Sequence, residues 1–117
     1  MLYAYKPQHL VVDGLLELPL PNRLDIASFL ARVVQRINMT AIAPPSLSET
    51  SFSISGLQLI AESHISITVV KAERILFCDV FSCREFNDDA VCSLLVATFD
   101  ITITTRSLIY RMVPGNT

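Results

Sequence analysis

Residues 51–83 read SFSISGLQLIAESHISITVVKAERILFCDVFSC. Three runs in this stretch, Phe52–Glu62, Ile65–Val70 and Ile75–Ser82, have the length and β-branched, aromatic content of strands. Lys71-Ala72-Glu73-Arg74 is short and polar, which makes it a hairpin loop. Strands that follow one another through short loops pair with their neighbours, so the stretch predicts a mostly antiparallel sheet. Side chains alternate along each strand. Ser63, Ile65, Ile67 and Val69 share one face, while His64, Ser66 and Thr68 point the other way. In the next strand Phe77, Asp79 and Phe81 oppose Cys78, Val80 and Ser82. Polar groups among apolar neighbours suit a pocket; they equally suit hydroxyls and thiols bonding within a sheet.

Outward from this core the pattern continues. Gln8 to Asp13 is an apolar run, beginning near His9, that reads as a first strand. Pro19, Pro21 and Asn22 then break the chain. From about Leu24 to Ile37, apolar residues fall at Ile26, Phe29, Leu30, Val33, Val34 and Ile37, the spacing of an amphipathic helix. Met39 to Ala43 predicts a short strand ended by Pro44-Pro45, and residues 46–51 a loop or the start of a strand. Asn87 is an N-cap, and Asp88-Asp89 favour a helix N-terminus. Val91, Leu94, Leu95 and Thr98 line one face of that second helix. Ile101 and Ile103 alternate with Thr102 and Thr104 in a closing strand, and residues after Pro114 are expected to fray. The predicted order is β-α-β-β-β-β-α-β. It implies an α+β fold, a mostly antiparallel sheet with both helices packed on one face, as a single domain over residues 1–117.

Composition narrows the function classes. The 117 residues are 51% hydrophobic and only 17% charged. Average usage is about 45–50% apolar and about 25% charged. That excess predicts a second buried surface, such as an oligomer interface. The net charge of -2 and the scattered Lys and Arg argue against a nucleic-acid partner. No apolar run is long enough for a membrane span, and Met1 to Pro7 lack the features of a signal peptide. The expectation is a cytoplasmic protein with no membrane partner. Cys78, Cys83 and Cys92 have no metal-like pairing and read as free thiols in a reducing compartment.

Read singly, the polar residues have ordinary explanations. Cys83 reads as a loop thiol or an acid, and His64 as a satisfied histidine or a base. Cys78 and Cys92 read as core residues, and nothing pairs His9 with His64 as a metal site. Glu62-Ser63-His64 lacks the small flanking residues of a hydrolase nucleophile turn. The three glycines, Gly14, Gly56 and Gly115, form no phosphate-binding loop.

Taken together, residues 8–100 resemble the small prokaryotic form of S-adenosylmethionine decarboxylase. His9-Leu10-Val11 is similar to that family's opening strand. Ser55-Gly56, Glu62-Ser63-His64 and Asp79-Val80-Phe81-Ser82-Cys83 match its core motifs in register. The resemblance implies a self-processing proenzyme. Ser63 Oγ would attack the Glu62 carbonyl, β-elimination would release the segment ending at Glu62, and residue 63 would become a pyruvoyl group. Ser55 corresponds to a residue that assists this processing. The pyruvoyl cofactor, generated without a metal, would form a Schiff base with the substrate amine and act as an electron sink. Cys83 matches the proton donor. The implied product is decarboxylated S-adenosylmethionine, the aminopropyl donor for polyamines such as spermidine. The implied assembly is a homodimer, in which the sheet's free face packs against another subunit.

The chain departs from the family pattern at three places. Thr68 stands where the family carries a histidine that helps the elimination, and the nearby imidazole is that of His64, on the same strand face as Thr68. Val70-Lys71-Ala72 replaces a Trp-Pro-Glu-like segment, with Glu73 displaced by one. Glu49 falls where an adenine-stacking aromatic is expected, with Phe52 close by, so Phe52 and Glu73 are the candidate substrate contacts. These departures keep two other outcomes in view. One is the same chemistry on arginine or ornithine; the other is an unprocessed, non-catalytic homologue that acts by pairing with a partner.

Overall fold

The computed structural model describes residues 6–17 and 19–111. The first strand, β1, spans Gln8–Leu16. It is followed by helix α1, Arg23–Arg36. The helix starts where Asn22 and Asp25 cap each other: Asp25 N donates to Asn22 Oδ1 at 2.8 Å and Asn22 N to Asp25 Oδ2 at 2.9 Å. It ends where Asn38 turns left-handed, at φ 57°. There Asn38 N and Met39 N donate back to the carbonyls of Gln35 and Val34 at 3.1 and 3.0 Å, which satisfies the terminal carbonyls. Its buried face is Ile26, Phe29, Leu30, Val33 and Val34, as the periodicity predicts.

Strands β2 (Ser46–Glu49), β3 (Ser53–Ile60), β4 (Ser63–Val70) and β5 (Ile75–Ser82) follow. Helix α2, Asp88–Phe99, begins at the expected cap, with Ala90 N donating to Asn87 Oδ1 at 3.1 Å. Strand β6 then runs from Ile101 to Tyr110. The sheet order is β2-β3-β4-β5-β1-β6, and every neighbouring pair is antiparallel.

One expectation is corrected. Met39–Ala43 is not a strand: Ala41 makes one isolated bridge to Ile60. Pro44 and Pro45 have no N–H to donate, so the chain cannot continue a ladder there. It leaves the β3 edge and rejoins it at Ser46, which makes residues 46–49 the second strand. The closing strand forms where the alternation of Ile101 to Thr104 places it and extends to Tyr110. Its pairing with β1 carries one extra residue opposite Asp13 and Gly14, then continues to Gln8 opposite Tyr110. The expectation about residues after Pro114 lies outside the described residues.

Both helices cover one face of the sheet. Leu10, Val12, Ile54, Ile65, Ile67, Val69, Leu76 and Val80 are all fully buried beneath them. Gly56 permits the close seating of α1, because a Cβ there would stand 2.6 Å from Ile26 Cγ2 and 2.9 Å from Leu30 Cδ1. The other face carries no helix. On it Leu15, Leu57, Leu59, Phe77 and Ile109 remain 39–45% exposed. No helix among the described residues is long and apolar enough to cross a membrane.

Candidate active site

The hairpin between β3 and β4 is as tight as a hairpin can be. Ile60 pairs with Ser63, so Ala61 and Glu62 alone make the turn. Glu62 adopts a left-handed backbone with φ 64°. For a residue with a Cβ that conformation costs about 1–2 kcal/mol. The strain therefore sits on the residue whose carbonyl precedes Ser63.

The partner strand brings a thiol to the same place. His64 pairs with Phe81, so Ser63 falls opposite Ser82, and Cys83 emerges beside the turn. Cys83 N donates to Ser63 Oγ at 3.1 Å. Cys83 Sγ donates to the Glu62 carbonyl, also at 3.1 Å. One residue thus holds the hydroxyl on one side of the 62–63 peptide and the carbonyl oxygen on the other. A donor on that oxygen stabilises the negative charge that develops when a nucleophile adds to the carbon.

Cys83 is also the thiol that solvent can reach. Cys78 and Cys92 are buried, Cys83 is half-buried, and all three are free. Burial pushes the Cys78 thiol well above its ordinary range, with a further push from the Asp79 carboxylate. Burial raises Cys92 in the same way. Neither buried thiol has the thiolate character that reactivity needs. Among the described residues no cluster of His, Cys, Asp and Glu could hold a metal ion.

The remaining candidates lie elsewhere on the sheet. Ser55 Oγ and Thr68 Oγ1 are hydrogen-bonded to each other at 3.0 Å. Thr68 is five positions along β4 from Ser63, which is about 16 Å at strand rise, and it projects from the helix-free face. His64 projects from that face too, its ring 5.7 Å from the Phe81 ring. It therefore points away from the side on which Ser63 lies. Phe52 and Glu73 are exposed in the turns at the far end of the same strands, where Lys71 N donates to the Phe52 carbonyl at 2.9 Å. That end is roughly 23 Å from Ser63 along β4. Beside it, Lys71 Nζ donates to Glu49 Oε2 and to the Thr50 carbonyl, both at 2.8 Å. The Lys71 ammonium holds the Glu49 carboxyl below the usual carboxylate range.

One cluster escaped the sequence reading. On the helix-free face His9 Nε2 lies 3.2 Å from Asp79 Oδ1. The His9 ring lies edge-on to the Phe81 ring at 6.3 Å, and the Arg111 guanidinium lies over that same ring at 5.5 Å. These residues meet because β1 pairs with β5 across some seventy residues of sequence, a contact that no local pattern announces.

A family model described as S-adenosylmethionine decarboxylase matches residues 8–111. Among solved structures, the crystal structure of the adenosylmethionine decarboxylase from Aquifex aeolicus superposes with a TM-score of 0.76 at 19% sequence identity, covering 97% of each chain. At that identity the likeness shows the fold. No curated protein matched the chain.

Proposed function

The chain belongs to the S-adenosylmethionine decarboxylase family, and from that premise we propose that it is a pyruvoyl-dependent decarboxylase that makes its own prosthetic group by cleaving the Glu62–Ser63 bond. The observation that carries this reading is the double contact of Cys83, on Ser63 Oγ and on the Glu62 carbonyl.

In self-cleavage Ser63 Oγ adds to the Glu62 carbonyl carbon, and the Ser63 nitrogen leaves it and gains a proton. The amide becomes an ester. Loss of the Ser63 α-proton then breaks the Cβ–Oγ bond, which frees the Glu62 carboxylate and leaves dehydroalanine at residue 63. Water converts that residue to a pyruvoyl group and releases ammonia. The left-handed turn supports the first step, because breaking the amide relieves it. The Cys83 thiol supports it by donating to the developing oxyanion.

A pyruvoyl group at residue 63 supplies the carbonyl that takes the substrate amine and draws off the electrons released with carbon dioxide. Cys83, already at that site, supplies the proton that replaces carbon dioxide. The substrate assigned is S-adenosylmethionine, for polyamine synthesis. The same chemistry on arginine or ornithine is the second reading, favoured by Glu49. That residue stands where the family has an aromatic, and Lys71 ties it down.

The helix-free face supports a homodimer. Leu57, Phe77 and their neighbours there are apolar and exposed. The Ser55–Thr68 pair lies on that same face, too far along β4 to serve Ser63 of its own chain. In this reading its help with processing acts across the interface between two copies.

Intact-mass spectrometry tests the central step. The uncut chain has a mass of 13.0 kDa. Two fragments split between residues 62 and 63, absent in Ser63→Ala, are expected. A chain that stays whole after prolonged incubation overturns the enzymatic reading and leaves the non-catalytic one. Release of carbon dioxide from S-adenosylmethionine, arginine and ornithine then assigns the substrate.

A further inference from the structure

Among the described residues Gln8, Gln58 and Ser82 are the buried polar side chains, and Ser82 is fully buried. Gln8 and Ser82 face each other across the β1–β5 pair, at the end of the sheet where Cys83 emerges. Burying a hydroxyl and an amide is unfavourable unless each finds a partner. Both find theirs in the backbone of the turn after Cys83. Arg84 N donates to Ser82 Oγ at 3.0 Å, and Phe86 N donates to Gln8 Oε1 at 3.4 Å. The Cys83 carbonyl accepts from Lys6 N at 3.0 Å. The neighbouring peptide groups are thus committed, and Cys83 N and Sγ remain for Ser63 and Glu62.

We propose that Ser82 is a positioning residue for the self-cleavage reaction, aiming Cys83 at the 62–63 peptide, with Gln8 bracing the same turn. The inference rests on the self-cleavage reading. Ser82 touches neither reacting atom. It acts by fixing the peptide that follows Cys83, which sets the direction of both Cys83 contacts. Without the Ser82 acceptor the Arg84 N–H loses its partner and the turn is free to rotate. A rotation that re-pairs Arg84 N with water swings the thiol off the Glu62 carbonyl.

The test compares Ser82→Ala, Ser82→Thr and Gln8→Met. In the chain with Ser63 intact, cleavage is followed by intact mass. In the uncleaved Ser63→Ala chain, alkylation of Cys83 by iodoacetamide is followed across pH 7–9, with buried Cys78 as the internal reference. Ser82→Ala is expected to slow cleavage about tenfold, the scale of one hydrogen bond. It is also expected to raise the Cys83 alkylation rate severalfold and alter its pH profile. Ser82→Thr, which keeps the hydroxyl, is expected to restore both. Gln8→Met moves both readouts in the same direction and stands in if Ser82→Ala does not fold. A lowered melting temperature with unchanged cleavage and unchanged alkylation overturns the proposal and leaves Ser82 a structural residue. A chain that never cleaves overturns the proposed function instead, and the alkylation arm then decides the role of Ser82 alone.

Discussion

Replacing Cys83 by alanine removes the thiol from the Glu62 carbonyl and leaves the rest of the arrangement standing. The backbone N–H of residue 83 still donates to Ser63 Oγ, so the nucleophile keeps its place. What disappears is the 3.1 Å Sγ–H contact on the oxygen that becomes negative. Removal of one such donor slows comparable reactions by about 10²–10³. A thiol donates more weakly than an amide, so the lower end applies, about a hundredfold, or ~2.7 kcal/mol in the barrier. Cys83 is half-buried in a turn, and its truncation leaves no cavity. The expected change in folding stability is under about 1 kcal/mol. Cys83→Ser keeps a donor on a shorter arm and is expected to fall between the two. The assay is a chase after cell-free synthesis, with the uncut and cut forms separated by mass at each time point. Cleavage of Cys83→Ala at the parental rate, in a chain that melts at the parental temperature, would refute the oxyanion role and with it the observation that carries the proposed function.

Three further outcomes follow from other parts of the structure. Thr68→His adds an imidazole beside Ser55 on the helix-free face; it is expected to speed cleavage at least about tenfold, the low side of general acid–base assistance, and an unchanged time course would show that this face does not serve the reaction. Phe77→Glu puts a charge on the same face and is expected to turn a dimer into a monomer, read by sedimentation, while cleavage slows if processing needs the second copy. Because burial raises the Cys78 thiol, the unfolded chain releases this proton at lower pH than the folded one. Its contribution is complete below the unfolded pKa of about 8.5 and is lost as pH rises beyond it, so Cys78→Ala should flatten the alkaline fall in unfolding free energy by up to about 1.4 kcal/mol per pH unit.

The hairpin strands β3, β4 and β5 and the helix α1 were legible because their patterns are local. Alternation over eight residues and a 3.6-residue stripe each need only a short window. The place of β1, between β5 and β6, was not legible: it follows from pairing at long range, which also creates the His9–Asp79 contact. Met39–Ala43 misled because its apolar content outweighed the two prolines that follow it. The approach of Cys83 to Ser63 could be read from hairpin register, counting back through Lys71–Arg74. Parity already put Ser63 and Thr68 on opposite faces, an odd five residues apart. The role of Ser82 could not be read from sequence, because alternation groups it with Cys78 and Val80 and is silent about the turn beyond.

The strand order has a consequence for the proposed self-cleavage. A cut between residues 62 and 63 leaves β1, α1, β2 and β3 on one polypeptide and β4, β5, α2 and β6 on the other. In the sheet, β1 lies between β5 and β6, and β3 lies beside β4. The two products are therefore interleaved, with the first threaded into the middle of the second. Separating them would mean breaking three ladders and the shared core at once, so a cut chain would behave as a tightly associated pair of unlike polypeptides. Its unfolding changes from a unimolecular to a bimolecular equilibrium, with a midpoint that depends on protein concentration. Once denatured, the pieces must find each other again, and neither holds a complete sheet to fold on.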